Sequence, residues 1–169
     1  PISVELAEEF LDRMEPYGLK RSTMFPVYGL AEASLAVSFH KLGTPYKYIT
    51  VDRRSLGVGS QARPVSPAEP SALKIMCEGT AIPYAKMQLV DDSGAVVPPD
   101  VVGHLLIAGD NVTRGYFQNP DANAALYCAD GWLRTGDLGV NIEGHLYVTG
   151  RAKEIIFVNG QNYYPHDLE

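Results

Sequence analysis

Only two cysteines occur in the 169 residues. Cys77 and Cys128 do not have the spacing of a CxxC pair or a metal knuckle, which argues against a disulfide scaffold and suits a reduced, cytoplasmic protein. No apolar run approaches the roughly 18 residues that a membrane span needs, and no signal peptide opens the chain. Basic charge is scarce and scattered: 14 lysines and arginines stand against 20 acidic residues. A nucleic-acid surface needs a basic patch, so that class has little support. The four histidines, His40, His104, His145 and His166, are not at metal-ligand spacing. With 46% hydrophobic and 20% charged residues, the composition is that of an ordinary globular chain able to bury a core. Pro1 in place of methionine, and a stop at Glu169 inside a new element, lead to the expectation of a piece of something longer.

Residues 2–15 carry a helical period, with Val4, Leu6, Ala7, Phe10, Leu11 and Met14 on one face. Ser3 is positioned as its N-cap, and Gly18 can end it in a left-handed turn. Thr23–Tyr28 reads as a buried strand interrupted by Pro26. Gly29 follows, and Ala31–Phe39 begins as a helix. This order is α/β. From about residue 45 the texture becomes β-rich. Residues 52–72, rich in proline, glycine and serine, read as a surface excursion. Beyond them the predicted strands are Lys74–Cys77, Ala85–Val90, Gly103–Ala108, Asp137–Ile142 and His145–Thr149, separated by turn signals. Asn119 and Pro120 open a short helix, against which Gly115-Tyr116-Phe117 is expected to pack. A final strand, Glu154–Val158, turns at Asn159-Gly160. The predicted fold is therefore an α/β layer followed by a small antiparallel sheet or distorted barrel.

Three stretches carry candidate chemistry. In Tyr28-Gly29-Leu30-Ala31-Glu32 an aromatic ring at a strand end precedes a glycine and then a carboxylate. The ring can stack on a base, the glycine admits close backbone approach, and the carboxylate can hold a hard cation. The same string also suits a buried turn with an acidic helix-dipole partner. In Trp132-Leu133-Arg134-Thr135-Gly136-Asp137 the aspartate can accept hydrogen bonds from vicinal ribose hydroxyls, or simply satisfy turn amides. Gly150-Arg151-Ala152-Lys153-Glu154 is equally a solvated charge cluster between strands.

Order and spacing change the weight of these strings. Tyr-Gly-x-Ala-Glu, then Trp-x-x-Thr-Gly-Asp about a hundred residues on, then Gly-Arg-x-Lys-Glu, resembles the adenylate-forming superfamily over Thr23–Glu169. Phe25–Leu35, the 52–72 tract and the terminal Asn159–Glu169 are similar to its fatty acyl-AMP ligase branch. The resemblance implies the C-terminal part of an adenylate-forming N-domain. Residues 1–44 would end an α/β subdomain, 45–149 would form the barrel-like part, and 150–169 the hinge and start of the lid.

The resemblance also implies roles. Tyr28 would stack on adenine and Gly29 line the base pocket, while Glu32 would bind Mg2+ at the triphosphate of ATP. Asp137 would hold the ribose hydroxyls, Arg151 would reach the ribose or its phosphate, and Lys153 would be the hinge. Ala31 stands where many members have a phosphate-touching threonine, a mark shared with the fatty acyl-AMP ligase branch. The implied reaction activates a carboxylic acid as acyl-AMP for a carrier-protein phosphopantetheine thiol or coenzyme A. No match to the family's phosphate loop or lid lysine occurs in the chain, so on its own it is expected to be inactive. An acyl-CoA synthetase, an amino-acid adenylation domain and a non-enzymatic β-rich docking module are the alternatives.

Overall fold

Ser3 opens the first helix as expected: its Oγ accepts from the Leu6 amide at 3.1 Å. This helix, α1 (Val4–Met14), buries Val4, Ala7 and Leu11, with Val4 and Ala7 packed on Met76. Leu6 and Phe10 stay exposed, so the covered stripe is narrower than the sequence period. The chain is seen in a computed structural model that describes residues 2–128, 130–153, 156–158 and 161–163.

Two expectations in the next segment fail for local reasons. Pro26 lacks an amide hydrogen, and the strand predicted over Thr23–Tyr28 shrinks to β1 (Val27–Tyr28), preceded by a 3-10 turn at Arg21–Thr23. The helix predicted from Ala31 stops after one 3-10 turn, Ala31–Ala33. Leu30 O accepts from both Ala33 N (3.0 Å) and Leu35 N (3.1 Å), which reverses the chain. It returns as β2 (Ser38–Phe39), antiparallel to β1 with Tyr28 opposite Ser38.

β3 (Tyr48–Asp52) and β4 (Ala72–Met76) form an antiparallel pair enclosing the 52–72 tract. That tract is not merely a surface excursion. Leu56 is 0% and Ala62 3% exposed, within a core shared with Val51, Ile75, Val102, Leu138 and Val140. Ala62 N donates to Asp100 O (2.8 Å) and Gly59 N to Val102 O (2.9 Å). Its root is the buried Asp52, which accepts from Arg54 N at 3.0 Å and pairs with Arg54 and Arg63. Composition alone cannot reveal that two apolar residues in a proline-rich loop reach back into a core.

After β5 (Thr80–Ala81), which pairs with β2, comes the main sheet. Its strands β6 (Ala85–Val90), β7 (Gly103–Gly109), β8 (Leu133–Ile142) and β9 (His145–Arg151) run antiparallel in that order. Among the described residues this sheet stays open; β6 does not pair with β9, and the distorted barrel does not close. Instead Glu78 N donates to Leu146 O (2.9 Å) and Leu146 N to Gly79 O (2.8 Å), so the β4–β5 connection covers the start of β9. Both faces of the sheet are buried. One carries Tyr28, Ala33 and Val37 over Leu89, Leu105, Ile107 and Leu146. The other carries the β3–β4 pair. Register shifts between His104 and Leu106 and between Leu138 and Gly139 kink the sheet and re-aim nearby side chains.

The helix α2 (Pro120–Leu126) is capped as expected, with Asn119 Oδ1 accepting from Ala122 N at 3.2 Å. Its junction with residues 115–117 is polar and not aromatic. Tyr116 N donates to Asn123 Oδ1 (2.6 Å) and Asn123 Nδ2 to Tyr116 O (2.9 Å), while Phe117 is 89% exposed. β10 (Ile156–Val158) and β11 (Gln161–Tyr163) pair antiparallel. The expected Asn159-Gly160 turn, Glu154, His166 and the remaining terminal residues lie outside the described residues.

Candidate functional site

Packing places Tyr28 before any ligand does. Its β1 backbone is paired to β2, and its ring lies in the core on one face of the main sheet. The hydroxyl reaches across 109 residues of sequence to donate to Asp137 Oδ2 at 2.6 Å. Burial foremost, and then the charge of Asp137, push the Tyr28 phenol well above its ordinary range, so it stays a donor.

Asp137 is set by its own strand. Thr135 Oγ1 accepts from Asp137 N at 3.0 Å and itself donates to Leu105 O at 2.8 Å. Directly opposite on β9 stands Arg151, whose Nε donates to Asp137 Oδ1 at 3.2 Å. The carboxylate thus has one oxygen on a phenol and the other on a guanidinium. Its side chain is 12% exposed and that of Arg151 66%, so the pair opens to solvent from the arginine side. A hydroxyl group arriving there would find an oriented acceptor with a guanidinium beside it.

Gly29 has a steric role. A Cβ there would lie 1.5 Å from Leu35 O, so the Tyr28–Ala36 reversal closes only around a residue with no side chain. Glu32, half-buried on the 3-10 turn, belongs to a second network. Its backbone carbonyl accepts from Thr113 N at 2.7 Å, and its Oε1 accepts from the Tyr116 hydroxyl. Lys153 is exposed just beyond β9. Of the six residues singled out in the sequence, Tyr28, Asp137 and Arg151 are joined by direct hydrogen bonds. Glu32 is tied to them through the turn, and Lys153 follows Arg151 along the chain.

Sequence reasoning missed four participants. Thr135 had been read only as part of a motif, and Tyr116 as packing. Asn111, whose amide spans the turn that bears Glu32, carried no signal at all. Glu78 is a carboxyl 5% exposed, with Oε2 unpartnered among the described residues. Burial first, and Asp137 in addition, push it up to about 8. A charged residue ending an apolar strand was its only trace in the sequence.

Two clefts lie elsewhere. One of about 500 Å3 is bounded by Ile2, Thr50, Arg53, Leu73 and Thr149, and one of about 570 Å3 by His104, Cys128, Arg134 and Gly136. Neither contains Tyr28, Glu32 or Asp137. Each has an ion pair with a largely exposed carboxylate, Lys74–Glu5 at 3.3 Å in the first and His104–Asp92 at 2.9 Å in the second, whereas the Asp137 carboxylate is nearly buried and hydrogen-bonded through both oxygens.

Comparison with known proteins identifies the family. The AMP-binding enzyme family matches residues 1–117. The chain is 36% identical to a 4-hydroxyphenylalkanoate adenylyltransferase of Mycobacterium marinum over 96% of its length, covering 28% of that protein. It is 36% identical to the long-chain-fatty-acid–AMP ligase FadD26 of Mycobacterium tuberculosis over 99% of its length, covering 30%. A solved structure from work on fatty acyl-adenylate ligases of E. coli and L. pneumophila superposes with a TM-score of 0.88 at 34% identity, over 99% of this chain and 30% of that one. The chain therefore spans a little under a third of these relatives' length. On the family match over residues 1–117 and the likeness to these relatives, the chain belongs to the AMP-binding enzyme family.

Proposed function

We propose that this chain supplies the nucleoside- and metal-facing side of an ATP-dependent ligase that joins a carboxylic acid, of the fatty-acid class, to AMP. The observation that carries this reading is the oriented Asp137 carboxylate between Tyr28 and Arg151. The names of the similar proteins, an adenylyltransferase and a fatty-acid–AMP ligase, support the acyl-adenylate product.

In this reading Asp137 accepts from the ribose hydroxyls, Arg151 faces the ribose or its phosphate, and Tyr28 backs the adenine. Gly29 holds the backbone close beneath them. A carboxylate is a poor electrophile; its attack on the α-phosphorus of ATP breaks the α–β phosphoanhydride bond, releases pyrophosphate and attaches AMP as a good leaving group. Glu32 suits Mg2+: it is a half-buried carboxylate with one oxygen oriented by Tyr116 and no other side-chain partner among the described residues. Mg2+ is commonly bound by one or two carboxylates together with phosphates and water. The ion, when bound, would neutralise charge on the phosphates. Residues 1–44 and 45–149 are read as the nucleotide side, and Lys153 as the hinge to a lid that presents the acyl group to a carrier-protein phosphopantetheine thiol.

The test is hydroxamate trapping of acyl-adenylate by the full-length protein with ATP and a fatty-acid panel. Asp137→Ala is expected to lower turnover about a hundredfold, the loss of two hydrogen bonds to a charged acceptor. Wild-type turnover in that variant, or no adenylate from any acid in the native protein, overturns the reading.

A further inference from the structure

The turn that bears Glu32 is strained. Ser34 has φ 51° and Leu35 φ 85°, two consecutive non-glycine residues in left-handed backbone, and such residues persist only where surroundings over-determine them. The restraint comes from residues 109–116, eighty positions downstream. Asn111 Nδ2 donates to Ala33 O at 3.1 Å and to Ala36 O at 2.6 Å, bridging the strained pair from both sides. Ser34 Oγ donates to Asn111 O at 3.2 Å, and Thr113 N to Glu32 O at 2.7 Å.

The same segment reaches the carboxylate itself through the Tyr116 hydroxyl on Glu32 Oε1. Tyr116 is held in turn by its two backbone bonds to the Asn123 amide on α2. The orientation of Asn111 has one solution. Both of its partners are carbonyls, so the NH2 must face them, and the oxygen is buried without a partner among the described residues. It points to Gly109, where a Cβ would sit 2.9 Å from it.

We propose that Asn111 and Tyr116 are positioning residues for cation binding at Glu32. Asn111 fixes the turn, and Tyr116 occupies one carboxylate oxygen so that the other faces the metal. The proposal rests on the reading of Glu32 as the metal-binding carboxylate. An outer-shell partner of this kind changes metal affinity while leaving other contacts in place.

The experiment measures Mn2+ binding to the full-length protein carrying a non-hydrolysable ATP analogue, by water-proton relaxation enhancement. Binding of the analogue without metal is measured in parallel, since a general structural lesion would weaken that too. Asn111→Ala is expected to raise the Mn2+ dissociation constant about tenfold. Tyr116→Phe, which removes one hydroxyl, is expected to raise it about threefold. Metal-free analogue binding should be unchanged in both. If Glu32→Gln leaves Mn2+ affinity untouched, the metal reading of Glu32 fails. If Glu32→Gln weakens Mn2+ and neither Asn111→Ala nor Tyr116→Phe does, the positioning proposal alone is overturned. Should Asn111→Ala not fold, Tyr116→Phe decides.

Discussion

Glu78 and Asp137 are two carboxyls that act on the Tyr28 phenol, and their environments differ. Asp137 is hydrogen-bonded through both oxygens, whereas Glu78 is buried with one oxygen unpaired among the described residues. With burial raising it from 4.5 to about 8, Glu78 is protonated in the folded chain at neutral pH and ionised in the unfolded one. The folded state then holds the extra proton between these values, so stability falls as pH rises through the window and levels off above it. The slope from this group reaches at most about 1.4 kcal/mol per pH unit. Thermal melts from pH 4.5 to 9, with Glu78→Gln as the flat reference, check it, and carbon-13 titration of the carboxyl reads the same shift directly. Gly29→Ala forces a Cβ onto Leu35 O and is expected to cost ~3 kcal/mol, an overpacking penalty visible in urea unfolding.

Among the elements, the strand pattern of the second half was readable because period-two alternation and turn residues act locally. The predicted Ala85–Val90 strand coincides with β6, and β7, β8 and β9 contain the Gly103–Ala108, Asp137–Ile142 and His145–Thr149 predictions with longer ends, while β4 starts before the predicted Lys74 and stops short of Cys77. What was not legible depends on partners distant in sequence. The Ala31 helix stops because Leu30 O and the Asn111 amide reshape the turn. The barrel stays open because the β4–β5 connection takes the start of β9. The 52–72 tract is the sharpest case. Treated as an excursion, it would tolerate truncation of any side chain; Leu56, fully buried, makes it part of the core. Leu56→Ala is expected to destabilise the chain by ~3 kcal/mol, the cost of a large-to-small core change, while Pro67→Ala on the exposed rim should change little. Chemical denaturation of both variants checks the contrast.

For the whole molecule, the two faces of one open sheet divide the labour. One face is closed by the β3–β4 pair and its tract, through an apolar core edged by backbone hydrogen bonds. The other holds the segment that begins at Tyr28, so that a strand pair formed early in the chain meets Asp137 and Arg151 near its end. The motif strings named most of these residues beforehand, since each needed only its own neighbours to be recognised. Their assembly, and the supporting Thr135, Asn111, Tyr116 and Glu78, required the three-dimensional path. The central claim is that Asp137 is a ribose-diol acceptor. It is tested most directly by comparing AMP with its 2′,3′-dideoxy analogue for binding to the full-length protein, native and Asp137→Ala. The expected result is that removing the diol weakens binding about tenfold or more in the native protein and has no effect in Asp137→Ala. Equal binding of the two nucleotides to the native protein would contradict it.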